Sequence, residues 1–216
     1  KQKEILKKID VLERTSDHGK IVGFHGAYYH PASKKMPHFE GLWVSTELYT
    51  GASLKDLTNI QKQKSLPESS ENDICKEVLQ GPSHLDENKV IDHHLSPDNI
   101  MVDSSRDINI RDFSSATIGL RSPTTFREAI PYRAPELKAN VGSNTIANTT
   151  KVLSDKFHFF ISECLQKNPA RRPSAEQLLA HPFISNIQNE RGVKKFIKRH
   201  LQKCKGTAHS HYNSLH

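Results

Sequence analysis

No stretch of this sequence approaches the roughly 18 consecutive apolar residues that a membrane-spanning helix needs. It lacks a C-x-x-C pair, and its three cysteines, Cys75, Cys164 and Cys204, stand far apart. An odd, scattered set excludes a disulfide framework and points to a reducing, intracellular compartment, the cytoplasm. No signal peptide is visible. The chain opens Lys-Gln-Lys-Glu without an initiator Met, so it is expected to begin inside a longer protein. No internal repeat is present.

What is there is polar without being plainly disordered: 35% of the residues are hydrophobic and 25% charged. The 216 residues suffice for one domain with a real core. The formal charge of +7 would suit an acidic partner, nucleic acid or a membrane surface. The excess is diffuse except in the basic run Arg191–Lys205, which reads either as a solvated helix face or as a site for acidic lipid or nucleic acid.

Hydrophobic spacing predicts a helix over Lys1–Arg14, with Ile5, Ile9 and Leu12 on one face. Strands are predicted over Ile21–Tyr29 and Leu42–Leu48, with a loop between them. Ser53 and Asp56 fit a capping box at a helix start. A second amphipathic helix is predicted over Asn72–Asn88, broken or kinked at Pro82 at a cost near 3 kcal/mol. Ser114–Ala139 reads as loop and Asn140–Thr150 as a polar linker. Helices follow over Asp155–Gln166, over Ser174–Ala180 with Gln177 completing a capping box, and over Glu190–Lys203.

The central stretch is Lys89–Ser115, KVIDHHLSPDNIMVDSSRDINIRDFSS. Two short apolar strands, Asn99–Val102 and Ile108–Arg111, form a hairpin bounded by turn residues. It gathers Asn99 and Asp112 at one edge. An amide and a carboxylate there suit Mg²⁺, which wants a few hard oxygens plus phosphate and water; equally, they suit a polar turn without a ligand. Adjacent His93 and His94 could bind Zn²⁺, but no further His or Cys stands at a motif-like spacing. The His-rich end, His209–His216, reads as an unstructured tail.

Two families compete for this stretch. Val90–His94, VIDHH, resembles the DHH phosphoesterases, whose Asp-His-His set binds a metal pair, but their earlier Asp-x-Asp motif does not occur before Asp92. The whole stretch resembles the catalytic loop and D-F-G loop of a eukaryotic protein kinase. Four other pieces agree with the kinase order. Leu42–Leu57, LWVSTELYTGASLKDL, is similar to a fifth strand, hinge and following helix. Ile130–Leu137, IPYRAPEL, is similar to the A-P-E close of an activation segment. Pro169–Ile184, PARRPSAEQLLAHPFI, is similar to the R-P and H-P-F end of the domain, and Ile187–Val193 to the stretch beyond it. The set resembles the sterile-twenty-like, germinal-centre group, in its Misshapen and NIK-related branch.

The resemblance implies an α+β, protein-kinase-like fold, with a mostly helical large lobe and a remnant of the small lobe. Its segments are a small-lobe remnant over 1–50, a large lobe over 51–139, a linker over 140–150, C-terminal helices over 151–186, and a basic helix with a tail over 187–216. It implies ATP and Mg²⁺ as cofactors, with Asn99 and Asp112 as metal ligands. It also implies that backbone groups of Glu47 and Tyr49 meet adenine. Thr125 falls at an activation-loop phosphosite, and Ile130 stands where a threonine lines the acceptor site.

The departures are as informative. The catalytic Asp is His94, the catalytic-loop lysine is Ser96, and the D-F-G glycine is Ser114. The helix glutamate that pairs with the strand lysine is Lys8, with Glu4 one turn away. The glycine-rich loop and that strand lysine would lie before Lys1. Glu136 should pair with Arg172, yet the two lie only 36 positions apart, about half the family's interval, so the central large-lobe helices look deleted. Low stability or reliance on a partner is expected to follow. Three readings follow: a pseudokinase that binds a protein partner, a weak or conditional Ser/Thr kinase completed by an upstream small lobe, and a fragment of a decaying gene.

Overall fold

The computed structural model of the chain describes residues 2–31, 40–49, 51–61, 66, 68–103, 107–119, 132, 134, 154–185 and 195–202. Helix α1 spans Gln2–Thr15. Its packed face differs from the expected one. Val11 and Thr15 are fully buried, while Ile5, Ile9 and Leu12 are only half-buried. The turn toward Val11 is stabilised where Thr15 Oγ1 donates to the Val11 carbonyl at 2.8 Å, which lets a polar residue sit in the core.

Strands β1 (Phe24–His30) and β2 (Gly41–Thr46) form an antiparallel hairpin with Tyr28 opposite Trp43 and Tyr29 opposite Leu42. These four side chains are solvent-exposed. Ahead of the hairpin, Ile21 makes a parallel bridge to Ile110 and so ties the α1–β1 connection to the sheet below. That sheet has the order β3 (Ala52–Ser53), β5 (Ile100–Val102), β6 (Ile108–Ile110), all antiparallel. Ile100 pairs with Ile110 and Val102 with Ile108, and all six residues of β5 and β6 are buried. A second small ladder pairs β4 (Val90–Ile91) with β7 (Thr117–Ile118). The segment expected to be loop after Ser114 therefore begins with a 3-10 turn, Phe113–Ser115, and a short strand.

Helix α2 covers Leu54–Asn59 and opens with the expected capping box: Ser53 Oγ accepts from the Asp56 amide, and the Asp56 carboxylate accepts from the Ser53 amide. Helix α3 runs Glu68–Glu87. It starts a turn earlier than expected and is not broken at Pro82. The reason lies one residue before. Gly81 is where α3 meets the sheet, and a Cβ there would lie 2.5 Å from Ile110 Cδ1. Close packing on both sides of the proline outweighs the lost hydrogen bond.

Three buried clusters share α3. Ile74 belongs to one with Leu57, Ile100, Val102 and Ile108. Leu85 belongs to a second with Val11, Ile21, Ile110 and Phe113. Cys75 and Leu79 pack against a third made by Phe160, Leu178, Phe183 and Ile184. The third cluster comes from helices α4 (Asp155–Cys164), α5 (Ala175–Leu179) and α6 (Pro182–Ser185). Ser154 caps α4, accepting from the Phe157 amide at 3.2 Å, and its own amide donates to Glu68 at the start of α3 at 2.9 Å. Ser174 and Gln177 close the expected capping box on α5.

A last helix, α7, is described over 195–202, inside the expected Glu190–Lys203, whose first five residues and last residue lie outside the described residues. Ile197 and Leu201 are buried in the first cluster, so the apolar face of the basic helix is already packed. Among the described residues, no helix is long and apolar enough to cross a membrane.

Two measurements follow from this packing. A Cβ on Gly51 would lie 2.3 Å from the Val102 carbonyl oxygen, which belongs to the backbone and cannot swing aside. Gly51→Ala is expected to cost about 1–3 kcal/mol in urea unfolding, whereas Gly19→Ala, which meets nothing within 4 Å, stays near wild type. Burial pushes the Cys75 thiol up to about 12 from 9.0. The native protein is then expected to resist thiol alkylation at Cys75 at pH 8. The folded value lies above the unfolded one, so stability is full below pH 9 and falls as the pH rises toward 12. Rapid labelling of Cys75 without denaturant would contradict the raised thiol pKa.

Candidate functional site

The β5–β6 register builds the site. Because Ile100 pairs with Ile110, the residues just outside the ladder are also neighbours, and the Arg111 amide donates to the Asn99 carbonyl at 3.0 Å. Asn99 and Asp112 thus leave the sheet at the same end. The chain turns sharply there: Asp112 has φ +66°, a left-handed conformation that Asp tolerates better than most residues. Behind it, Phe113 is buried against Val11 and Ile110 in the second cluster, which fixes the direction in which the turn leaves.

The loop between β4 and β5 supplies the other wall. Asp92 Oδ1 accepts from the His94 amide at 2.8 Å, an Asx turn that sets the loop. His93 is buried, with Nε2 at 2.9 Å from Thr117 Oγ1, so it braces the β4–β7 ladder. His94 points the other way. Its Nδ1 lies 3.3 Å from Asp112 Oδ2 and 3.2 Å from Asn99 Nδ2. Asn99 Nδ2 also donates to the His94 carbonyl at 3.0 Å. Nδ1 either donates its proton to Asp112 or, with the proton on Nε2, accepts from Asn99; one nitrogen cannot do both at once. His94, Asn99 and Asp112 therefore form one connected group. Ser96 is buried and its amide-linked turn ends at Asn99, so it presents no charge to the site. Lys55 and Asp98 make an exposed ion pair beside the loop at 2.8 Å.

A cavity of about 500 Å³ opens beside this group, within the range of small-molecule sites. Lys8, Leu12, Val44, Glu47, Tyr49 and Asp112 are among its walls. Glu47 and Tyr49, placed in the hinge by the resemblance, do line it. The Glu47 amide donates to the Gly23 carbonyl at 2.7 Å, which fixes the hinge to the segment just before β1. The Tyr49 hydroxyl donates to the Asp107 carbonyl and reaches the Met101 carbonyl at 3.4 Å. Burial and the carboxylates of Asp103 and Asp107 raise its pKa strongly, so it stays a neutral donor that clamps the hinge onto the β5–β6 turn.

The structure thus places Asp112, Glu47 and Tyr49 on the walls of one cavity, with His94 and Asn99 joined to the Asp112 end without lining it. Thr125, Ile130, Glu136 and the linker Asn140–Thr150 lie outside the described residues. Arg172 is half-buried, and its guanidinium donates to the Gln166 carbonyl at 2.8 Å. Sequence reasoning missed the Tyr49 hydroxyl as a clamp and Lys8 as a cavity wall. The signal for Lys8 was present: it shares a helix face with Val11, Leu12 and Thr15 at i+3, i+4 and i+7. Among the described residues, no group of three or more His, Cys, Asp and Glu side chains is arranged to hold a metal.

Comparison with known proteins agrees with this geometry. A family model described as the protein kinase domain matches residues 1–147. Nik-related protein kinase from Homo sapiens is 26% identical over 246 residues, covering 93% of this chain and 15% of that protein. Misshapen-like kinase 1 from Rattus norvegicus is 27% identical over 254 residues, 94% of this chain and 19% of the relative. Mitogen-activated protein kinase kinase 3 from Arabidopsis thaliana is 28% identical, over 88% of this chain and 44% of its own length. The chain thus spans less than a fifth of the first two. The match to the human relative is longer than the whole 216-residue chain, so some residues of the relative within the match have no counterpart here. None of this supports the DHH-phosphoesterase reading of Val90–His94.

Asn99 is buried and its amide ties the loop carrying His94 to the sheet end. Asn99→Ala is expected to cost about 1–3 kcal/mol in urea unfolding without any ligand. An unchanged midpoint would mean that the residue has no structural role in the loop.

Proposed function

The chain belongs to the protein kinase domain family, and from that premise we propose that it is a serine/threonine kinase-like domain with impaired catalysis, a pseudokinase acting by binding. The observation that carries this reading is the place of His94. At the position where the family has its catalytic Asp stands an imidazole, and its Nδ1 lies 3.3 Å from the Asp112 carboxylate. An imidazole can accept a proton, but it cannot add a negative charge beside metal and acceptor hydroxyl. The Asp112 carboxylate is drawn toward a side chain of the protein itself. Ser96 removes a further phosphate contact.

The residues present do fit the family's cofactors. Asp112 and Asn99 offer a carboxylate and an amide oxygen, hard donors of the kind Mg²⁺ takes along with phosphate and water. When bound, that ion would shield the charge of the phosphates. Glu47 and Tyr49 would present backbone C=O and N–H to adenine at the opposite end of the cavity. The function is then nucleotide-responsive binding of a protein partner in the cytoplasm, a setting that the three scattered cysteines favour. Binding of acidic lipid or nucleic acid by α7 is disfavoured, because Ile197 and Leu201 are occupied in the core. A match longer than the chain itself is consistent with the short interval between Glu136 and Arg172, from which we infer the loss of central large-lobe helices. A weak or conditional kinase is the second reading, favoured by the retention of Asn99 and Asp112 at one sheet end.

Two assays on the full chain separate these. Active kinases turn over at about 1–100 s⁻¹, and wild type is expected to fall at least about a thousandfold below that on a Ser/Thr peptide substrate. His94→Asp is expected to raise the rate if the second reading holds, and turnover in the normal range by wild type would end the pseudokinase reading. ATP with Mg²⁺ is expected to raise the melting temperature, and Asp112→Ala to remove the Mg²⁺-dependent part. A chain without any cooperative transition would not be a folded regulator.

A further inference from the structure

The cavity holds a cation that family membership does not explain. Lys8 is an exposed residue on the side of α1 that lines the cavity, with Leu12 one turn on also lining it, and Val11 beside them is fully buried in the second cluster. A lysine on such a face normally carries its ammonium out to water or meets a carboxylate. Here the carboxylates that line the cavity, Glu47 and Asp112, are turned elsewhere. Glu47 Oε2 accepts from the Gly23 amide at 3.4 Å, and Asp112 Oδ2 faces His94. Arg111, the other cation of the cavity wall, directs its guanidinium at the Asp98 carbonyl at 3.5 Å.

Packing fixes where Lys8 can act. Val11 and Phe113 belong to one buried cluster, so α1 is docked on the turn that begins at Asp112. Lys8, one turn before Val11, is thereby held at the Asp112 end of the cavity wall, where the Glu47 and Asp112 carboxylates are turned to other partners. An ammonium is a compact point charge with three donors, suited to phosphate.

We propose that Lys8 is the phosphate-binding cation of this cavity, selecting nucleoside di- and triphosphates over nucleosides. This rests on the reading of the cavity as a nucleotide site. The charge reversal on α1, a loss by the family's pattern, then becomes a gain of function for this chain.

The test is calorimetric titration of the full 216-residue chain with ATP and with adenosine, Mg²⁺ present throughout. Wild type is expected to favour ATP by about tenfold or more, an advantage that shrinks with added salt. Lys8→Ala is expected to lose most of that advantage while keeping its adenosine affinity and melting temperature, since Lys8 is exposed. Lys8→Arg keeps the advantage and Lys8→Glu reverses it. If Lys8→Ala retains the full preference for ATP, the proposal is wrong although the nucleotide site stands. If wild type binds neither ligand, the nucleotide reading itself falls and takes this one with it.

Discussion

The close approach of α3 to strand β6 at Gly81 is the constraint on which the rest of the fold depends. No side chain larger than hydrogen fits without displacing Ile110, and Ile110 is wholly buried. Once that contact is made, the other surfaces of α3 are committed. One takes the sheet and α7, another takes α1 and the Phe113 turn, a third takes α4–α6. A helix packed on three sides has no amphipathic stripe facing water, and its stability comes from neighbours rather than from propensity. That is why a proline in its last turns is tolerated.

The site inherits its precision from the same arrangement. Three residues of β5 against three of β6 are a very short ladder, but every side chain in it is buried, and burial on both faces fixes register. Register in turn fixes Asn99 against Arg111 and delivers Asp112 to the same end. The loop that brings His94 is independently braced, through Asp92 on one side and the His93–Thr117 contact on the other. The backbone that presents these side chains follows from core packing.

Much of this was legible in the sequence because the signals were local. Both capping boxes, Ser53 with Asp56 and Ser174 with Gln177, are satisfied within four residues. The Asn99 and Asp112 edge follows from the turn residues flanking two apolar triplets. The misreadings concern features decided at a distance. Pro82 looked like a break because the sheet that holds α3 straight is unseen in a local window. The packed face of α1 turned toward Val11 because Ile110 and Phe113, about a hundred residues later, lie there. Lys8 looked like a damaged partner for an absent lysine, since its cavity exists only after the hinge and the Phe113 turn have met. The roles of Thr125, Ile130 and Glu136 were read from resemblance alone, and they lie outside the described residues.

The capping of α4 by Ser154 and its tie to Glu68 join positions 86 residues apart, and the Asn72 amide reaches Phe183 across 111. The order of synthesis therefore matters. When α3 leaves the ribosome, the residues that will cover Cys75 and Leu79 have not yet been made. At about 5–20 residues per second, that apolar face waits roughly 5–20 s for its cover. During that interval the nascent chain presents a ready target for a chaperone, or for another nascent copy of itself, and the concentration of such chains sets how much finished protein a cell obtains.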